Sequence, residues 1–177
     1  VASLLRKHVW VAYDPRDRDL SLGEAGISVD GIRRDLRQIK AAGFTGITTF
    51  GCDRSSARIP GLAKEQGLAV IVGVFNAADR SEVMRAGACG RYADAYCVGY
   101  NHQRTDYHIK DVREAIRWLK RRTGLPATST QPVAHYKDDA QLSQLGDWLF
   151  PDAGINWQTD RDRQDIEQIL RLFRQQT

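Results

Sequence analysis

Aromatic and polar side chains recur where the apolar segments of this sequence end. They are Tyr13 and Asp14, Cys52 and Asp53, Phe75 and Asn76, Tyr100 with Asn101 and His102, Gln131, and Asp152 with Asn156 and Trp157. Aromatic rings stack on the apolar faces of sugars, and carboxylates and amides form hydrogen bonds with sugar hydroxyls. The residue types therefore favour a carbohydrate-binding site, which Tyr136 in a following loop would cover.

Three of the carboxylates also allow catalysis. Asp14 and Asp53 can hold sugar hydroxyls or act as acid and base in an inverting reaction, and Asp152 follows a later strand. The structural alternative is that such residues cap turns and helices. His102 and His108 share one loop without a matching cluster elsewhere, so we expect no metal and no cofactor.

The three cysteines, Cys52, Cys89 and Cys97, are an odd number and cannot all pair within the chain. None stands in a C-x-x-C arrangement, so the spacing indicates neither a disulfide framework nor a zinc site. No histidine is placed by sequence to activate Cys52 or Cys97. We therefore expect both to be small buried residues.

Strands and helices alternate along the chain and would position these residues. Apolar or β-branched segments predict strands at 8–14, 46–51, 68–75, 95–100, 127–131 and 148–150. Amphipathic segments predict helices between them: one from a Ser28 cap to Gly43, one at 59–66, one from a Ser81 cap to about residue 93, one at 109–122, one from Asp138 or Asp139 to Leu145, and a last at about 162–174.

Six strand–helix units with short connections predict parallel strands wound in a right-handed sense. The loop at 14–19 lacks a glycine-rich phosphate-binding pattern, which argues against a doubly wound nucleotide-binding sheet. We therefore predict an α/β fold with one domain over residues 1–177, a (β/α) barrel of TIM type with about six units instead of eight. An incomplete barrel leaves an open edge, which would allow a homodimer.

Composition excludes several classes of protein. With 177 residues, 42% hydrophobic and 27% charged, the chain is an ordinary globular one, and no apolar run is long enough for a membrane span. The net charge of +4 is spread over helical faces with acidic neighbours, so we expect no nucleic-acid partner. The first five residues are too short for a signal-peptide core, and we expect no signal peptide in this chain.

Four segments, in order, resemble glycoside hydrolase family 17, which comprises β-1,3-glucanases and related bacterial glucan transglycosylases. Residues 59–76 resemble the family's "la…gl.v.vGv" stretch, and AYCVGYN at 95–101 resembles its V-G-N-E strand. Residues 123–130 resemble its fifth strand, and GDWLFP at 146–151 with Asn156 and Trp157 resembles its sixth. The resemblance spans about residues 10–157.

This resemblance implies a barrel that recognises a β-glucan-like polysaccharide, in a secreted or periplasmic protein. Asn101 stands where the family has its acid/base Glu, and an amide cannot deliver a proton. The family's nucleophile lies on a seventh strand, which the pattern here does not predict, and retaining hydrolysis needs two carboxyl groups about 5 Å apart. Gln131 also ends a strand where a carboxylate would be useful.

The sequence thus leaves three interpretations open. The first is a glucan-recognising barrel of the glycoside hydrolase kind with impaired catalysis, because the expected acid Glu is Asn101 and the strand of the nucleophile is missing; whether Asn101 or Gln131 replaces a Glu stays open. The second is a non-catalytic glycan-binding or interaction domain. The third is an unrelated small (β/α) enzyme that uses Asp14, Asp53 and Asp152.

Overall fold

A computed structural model describes residues 1–15, 28–53, 56–100, 108–132, 135–136 and 140–152. Its α-helices are α1 (Ala2–Lys7), α2 (Val29–Ala41), α3 (Ile59–Glu65), α4 (Arg80–Ala88) and α5 (Ile109–Thr123). Its strands are β1 (Trp10–Tyr13), β2 (Gly46–Thr49), β3 (Ala69–Val74), β4 (Ala95–Tyr100), β5 (Ala127–Pro132) and β6 (Phe150–Asp152). Short 3-10 helices cover Ser56–Arg58, Cys89–Tyr92 and Ala140–Gln144.

The six strands form one parallel sheet in the order β1-β2-β3-β4-β5-β6. The sheet curls into a half-barrel, and residues of all six strands line one concave face. The predicted α/β fold with parallel strands is therefore confirmed in this coarser form, that of an incomplete barrel. Among the described residues, β1 pairs only with β2 and β6 pairs only with β5.

Alternate strand residues point to opposite sides of the sheet, which divides the core into two layers. On the convex side, residues such as Ile47, Val70 and Val72 pack against the apolar faces of the helices. On the concave side, Ile71, Ala95 and Cys97 pack with Trp10 and with leucines of α1. Strand β3 is buried along its whole length because both layers cover it, as its continuous apolar run predicts.

Helix ends follow the predicted signals in most places. The Ser28 side chain accepts a hydrogen bond from the Gly31 N–H and caps α2. Gly124 ends α5 with a φ of 72°, a backbone conformation that residues with a Cβ rarely adopt. Helix α4 differs from the prediction, since the Asp79 side chain, and not Ser81, accepts the capping bond from the Ser81 N–H. It also ends at Ala88 and continues as a 3-10 helix.

At the amino-terminal end of the sheet, the pairs β1–β2, β3–β4 and β5–β6 are each joined by the same pair of hydrogen bonds between two residues. We call this arrangement the reciprocal junction. The Thr45 N–H donates to the carbonyl of Val9 while the Thr45 Oγ1 accepts from the N–H of that same residue. Asp94 makes the same double contact with Val70, and Asp147 makes it with Ala127. Each junction fixes the position at which the later strand meets the earlier one.

In two of these junctions, a lysine from the helix that precedes the earlier strand also binds the aspartate. The Lys64 Nζ lies 2.6 Å from the Asp94 Oδ2, and the Lys120 Nζ lies 2.5 Å from the Asp147 Oδ1. Both carboxylates are less than one-third exposed, so each lysine adds a charge-assisted hydrogen bond in a partly desolvated setting. The sheet therefore has a two-strand repeat, which sequence analysis did not detect.

Two elements differ from the prediction, one in its bounds and one because the sequence pattern does not predict it. The sixth strand begins at Phe150 instead of Trp148, since the ladder with β5 starts at the Thr130–Phe150 pair. Before that pair, the chain contacts β5 through the Asp147 junction and through a hydrogen bond from the Thr128 hydroxyl to the Trp148 carbonyl. Helix α1 was not predicted, although two of its leucines pack against the concave core.

Two of the predicted helices fall partly or wholly outside the description. The segment from Asp138 or Asp139 to Leu145 forms a 3-10 helix from Ala140, and residues 137–139 are not among the described residues. The predicted helix at 162–174 also lies outside them. No helix in the described ranges combines the length and apolar character needed to cross a bilayer.

Replacement of Asp147 tests the reciprocal junction. We expect Asp147→Ala to lower the free energy of unfolding at pH 7 by about 2 kcal/mol, because the Ala127 N–H and Lys120 both lose their acceptor. Asp147→Asn keeps an oxygen for the Ala127 N–H and is expected to lose about half as much. Urea unfolding followed by circular dichroism measures both changes, and a wild-type value for Asp147→Ala would contradict the interpretation.

The same junction predicts a pH dependence. Burial alone would raise the pKa of Asp147, but the hydrogen bonds from Lys120 and the Ala127 N–H outweigh it and hold that pKa below the ordinary 3.8. The stabilisation is therefore complete above the ordinary value and is lost as the pH falls through the folded-state pKa. We expect the stability difference between wild type and Asp147→Asn to shrink between roughly pH 5 and pH 2. A constant difference over that range would argue against this assignment.

Candidate functional site

The concave face of the half-barrel contains a cavity of about 370 Å³. Its walls are mainly apolar and include Trp10, Phe50 and Phe150, with Thr48 and Thr130 as hydroxyl groups. Asp152 places a carboxylate at the carboxyl end of β6 in the same cavity. This cavity is open to a ligand that offers both apolar and hydroxyl groups.

A second cavity, of about 320 Å³, lies at the carboxyl ends of the first three strands. Asp14 follows β1, Phe50 and Asp53 follow β2, and Phe75 follows β3. Phe50 lines both cavities, so the two share one wall. The structure thus brings together three residues that were predicted to lie at one edge of the sheet, Asp14, Asp53 and Phe75, and adds Phe50 to them.

Two phenylalanines at this edge are exposed to an unusual degree for large apolar side chains. Phe50 is 47% exposed and Phe75 is 46% exposed, whereas the apolar strand residues before them are buried. A ring that stays in water provides a surface on which a ligand's apolar face can stack. Phe75 is one of the binding residues predicted from the sequence, and Phe50 is not.

A buried glutamate holds the segments that carry these rings. Glu82, in the first turn of α4, is 6% exposed. Its Oε1 accepts hydrogen bonds from the Cys52 N–H at 2.9 Å and the Phe75 N–H at 2.7 Å, and its Oε2 accepts from the Asn76 N–H at 3.0 Å. One carboxylate therefore joins the segment after β2 to the segment after β3.

Two neighbours complete this arrangement. A Cβ at Gly51 would lie 2.9 Å from the Glu82 Oε1, so only glycine allows the carboxylate to approach so closely. The Arg85 Nε, one helical turn beyond Glu82, donates to the Cys52 carbonyl at 2.8 Å. Helix α4 therefore holds both the N–H and the carbonyl of Cys52. We call Glu82, Gly51 and Arg85 the rim clamp.

The side chains of two further predicted binding residues accept hydrogen bonds within local turns. The Asp53 Oδ1 accepts from the N–H and the hydroxyl of Ser56, which is the capping role that sequence analysis gave as its structural alternative. The Asn76 Oδ1 accepts from the Ala78 N–H in a similar turn. Both residues still lie at the carboxyl ends of the strands, and Asp53 lines the second cavity.

Three of the predicted binding residues lie on the convex side of the sheet, away from the cavities. They are Tyr13, Gln131 and Tyr136. The Tyr13 hydroxyl donates to the Asp35 Oδ2 of α2, because an alternating strand turns this residue toward the helices. Gln131 is fully buried and donates to the Ser129 hydroxyl. Tyr136 packs against the helix-side core, and burial raises the pKa of its hydroxyl above the usual value. These placements do not favour direct contact with a ligand in either cavity.

The remaining predicted site residues cannot be placed in full. The backbone of Tyr100 ends β4, and its side chain is outside the description. Asn101, His102, Asn156 and Trp157 lie outside the described residues, so the position of the family's acid/base stays a prediction.

Within the described ranges, no group of three histidine, cysteine or acidic residues is placed to hold a metal ion. Cys97 lines the concave cavity, and burial raises the pKa of its thiol to about 12, so it is a protonated apolar wall residue at neutral pH.

Fold and site together define an α/β half-barrel of parallel strands with cavities at its concave face and carboxyl rim. No protein-family model matches the chain, and no curated protein sequence matches it. Among solved structures, it is similar to the carboxyl transferase domain from Rhizobium etli pyruvate carboxylase with 3-bromopyruvate, with a TM-score of 0.52 and 10% sequence identity. The match covers 77% of this chain and 25% of that chain.

At this identity the similarity concerns the fold alone. The chain spans about a quarter of the length of that structure, and the match gives no information on glucan recognition. The likeness is consistent with an incomplete barrel.

Replacement of Glu82 tests the rim clamp. We expect Glu82→Ala to lower the free energy of unfolding by roughly 2–4 kcal/mol, because three backbone N–H groups lose their acceptor in a buried site. Glu65→Ala is the matched control, since Glu65 pairs with Arg33 at the surface and its removal is expected to cost less than about 1 kcal/mol. Urea unfolding measures both variants, and equal small losses would show that the clamp contributes little.

Proposed function

We propose that the protein binds a β-glucan-like polysaccharide or oligosaccharide at the carboxyl ends of its strands. The observation that carries this proposal is the pair of exposed rings, Phe50 and Phe75, beside Asp14 and Asp53 in one cavity. Rings of this kind stack on sugars, and carboxylates such as those at the same rim accept hydrogen bonds from sugar hydroxyls. The resemblance to glycoside hydrolase family 17 supports the choice of a glucan.

The proposal includes impaired hydrolysis. Asn101 occupies the position of the family's acid/base and cannot supply a proton. Among the described rim carboxylates, Asp53 caps a turn and Glu82 already accepts three backbone hydrogen bonds. We further propose that the half-barrel belongs to the (β/α) barrels of TIM type, which its sequential strand order supports.

Titration with laminari-oligosaccharides, beside an assay of reducing-sugar release on the same sample, tests this function. We expect binding without release in the wild type. Phe75→Ala is expected to weaken binding about tenfold, because the stacking surface is lost while the backbone bond to Glu82 remains. Met84→Ala is the control, since Met84 is an exposed apolar residue that lines a different cavity.

The outcomes separate the interpretations. An absence of binding heat would exclude the glucan proposal. Release of reducing sugar would contradict impaired hydrolysis, and Asp14→Asn and Asp53→Asn would then be compared for loss of release. Asp53→Asn is suited to this comparison because its amide oxygen can still cap Ser56.

An interaction domain is the second candidate, and the observation that favours it is the one-sided pairing of β1 and β6 among the described residues. A strand at the edge of a sheet is a template for association with another chain. If this is the function, sedimentation velocity will show a dimer at micromolar concentration whether or not sugar is present. A monomer at all concentrations would exclude a homodimer.

A further inference from the structure

Two of the three cysteines lie side by side beneath the rim of the half-barrel. The Sγ atoms of Cys52 and Cys89 are 3.8 Å apart, and both residues are buried. Cys52 follows β2, and Cys89 begins the 3-10 helix after α4. Cys97 belongs to the separate concave layer of the core. The fold therefore selects one pair out of the three that the sequence allows.

The surroundings hold both partners of this pair in position. The rim clamp fixes the backbone of Cys52 against α4 through the Glu82 and Arg85 side chains. The Cys89 Sγ also donates to the carbonyl of Ala57 at 3.5 Å. Cys89 thus contacts Cys52, which follows β2, and Ala57, which precedes α3. We call the described residues Cys52, Asp53, Ser56 and Ala57 the rim segment.

We propose that Cys52 and Cys89 form an intramolecular disulfide by exchange with a low-molecular-weight disulfide such as oxidised glutathione. A disulfide bond is about 2 Å long, so side-chain rotation must bring the two sulfurs about 2 Å closer. The backbone contacts of the clamp do not involve either sulfur and can persist in the oxidised form.

The exchange balances in two steps. The Cys89 thiolate attacks one sulfur of the small disulfide, forms a mixed disulfide and expels the first small thiolate. Cys52 then gives up its proton, attacks the Cys89 sulfur and expels the second. The protein loses two electrons and two protons, and the small disulfide leaves as two thiols.

The environment assigns different roles to the two sulfurs. The hydrogen bond from Cys52 and the nearby charge of Arg91 lower the pKa of the Cys89 thiol, although burial opposes the change. The hydrogen bond to Cys89 and burial raise the pKa of Cys52 above its usual value. Cys89 is also the more accessible of the two, since it is 7% exposed and Cys52 is 0% exposed. Accessibility and charge therefore agree on Cys89 as the attacking thiolate and Cys52 as the resolving thiol.

The bond would fasten the rim segment to the end of α4 and close a loop between residues 37 positions apart. A loop of this length removes substantial conformational freedom from the unfolded chain. We expect oxidation to raise the midpoint of thermal unfolding by roughly 5–10 °C. This inference does not depend on what the rim binds.

The experiment refolds the full chain in a mixture of oxidised and reduced glutathione and then counts free thiols after denaturation. Wild type is expected to fall from three free thiols to one, and Cys97→Ser is expected to lose both of its thiols. Cys89→Ser should keep its two. Cys52→Ser lacks the resolving thiol and should therefore hold glutathione on Cys89 as the mixed disulfide, with only Cys97 free. Tryptic mapping of the wild type should give residues 41–54 joined to residues 86–91.

Three outcomes would overturn the proposal. They are three free thiols in the wild type, glutathione adducts without an internal bond, and a bond that includes Cys97. The mapping uses the wild-type chain, so it decides the question even if a cysteine variant fails to fold. The thermal shift must also disappear on addition of dithiothreitol, because reduction restores the two thiols.

Discussion

The candidate site depends on the carboxylate of Glu82. Parallel strands end without the hairpin turns that would tie one to its neighbour, so the segments that follow them need another tether. Glu82 supplies it by accepting backbone N–H groups from the segments after β2 and β3. Because a buried carboxylate is costly unless its oxygens are satisfied, these segments and α4 must assemble together.

The amino-terminal end of the sheet is held by the reciprocal junctions. There Thr45, Asp94 and Asp147 each exchange two hydrogen bonds with a residue within one position of the start of the preceding strand. The amino-terminal end is therefore fixed by contacts between paired strands that recur every two strands, whereas the segments after β2 and β3 at the carboxyl rim are joined by one shared acceptor. The carboxyl rim can therefore carry exposed rings, while the amino-terminal end of the sheet keeps a regular pattern of contacts.

Much of the fold could be predicted because its signals are local. The continuous apolar run of β3, the Ser28 cap and Gly124 each act within a few residues of their own position. The start of β6 could not be predicted, because the Asp147 junction and the pairing with β5 depend on contacts across the sheet. The repeat of that junction is also a spatial feature and involves different residue types.

The site was predictable in position but not in detail. Parallel topology places Asp14, Asp53 and Phe75 at one edge, as their positions after predicted strands indicated. Tyr13 and Gln131 also end strands, yet the alternation of side chains turns them toward the helices. Glu82 gave no signal because an acidic residue in a first helical turn is common, and only the tertiary fold brings three N–H groups to it.

Phe50 has a consequence for both cavities of the half-barrel. It contributes to the walls of both cavities, so the conformation of one residue couples the shapes of two neighbouring spaces.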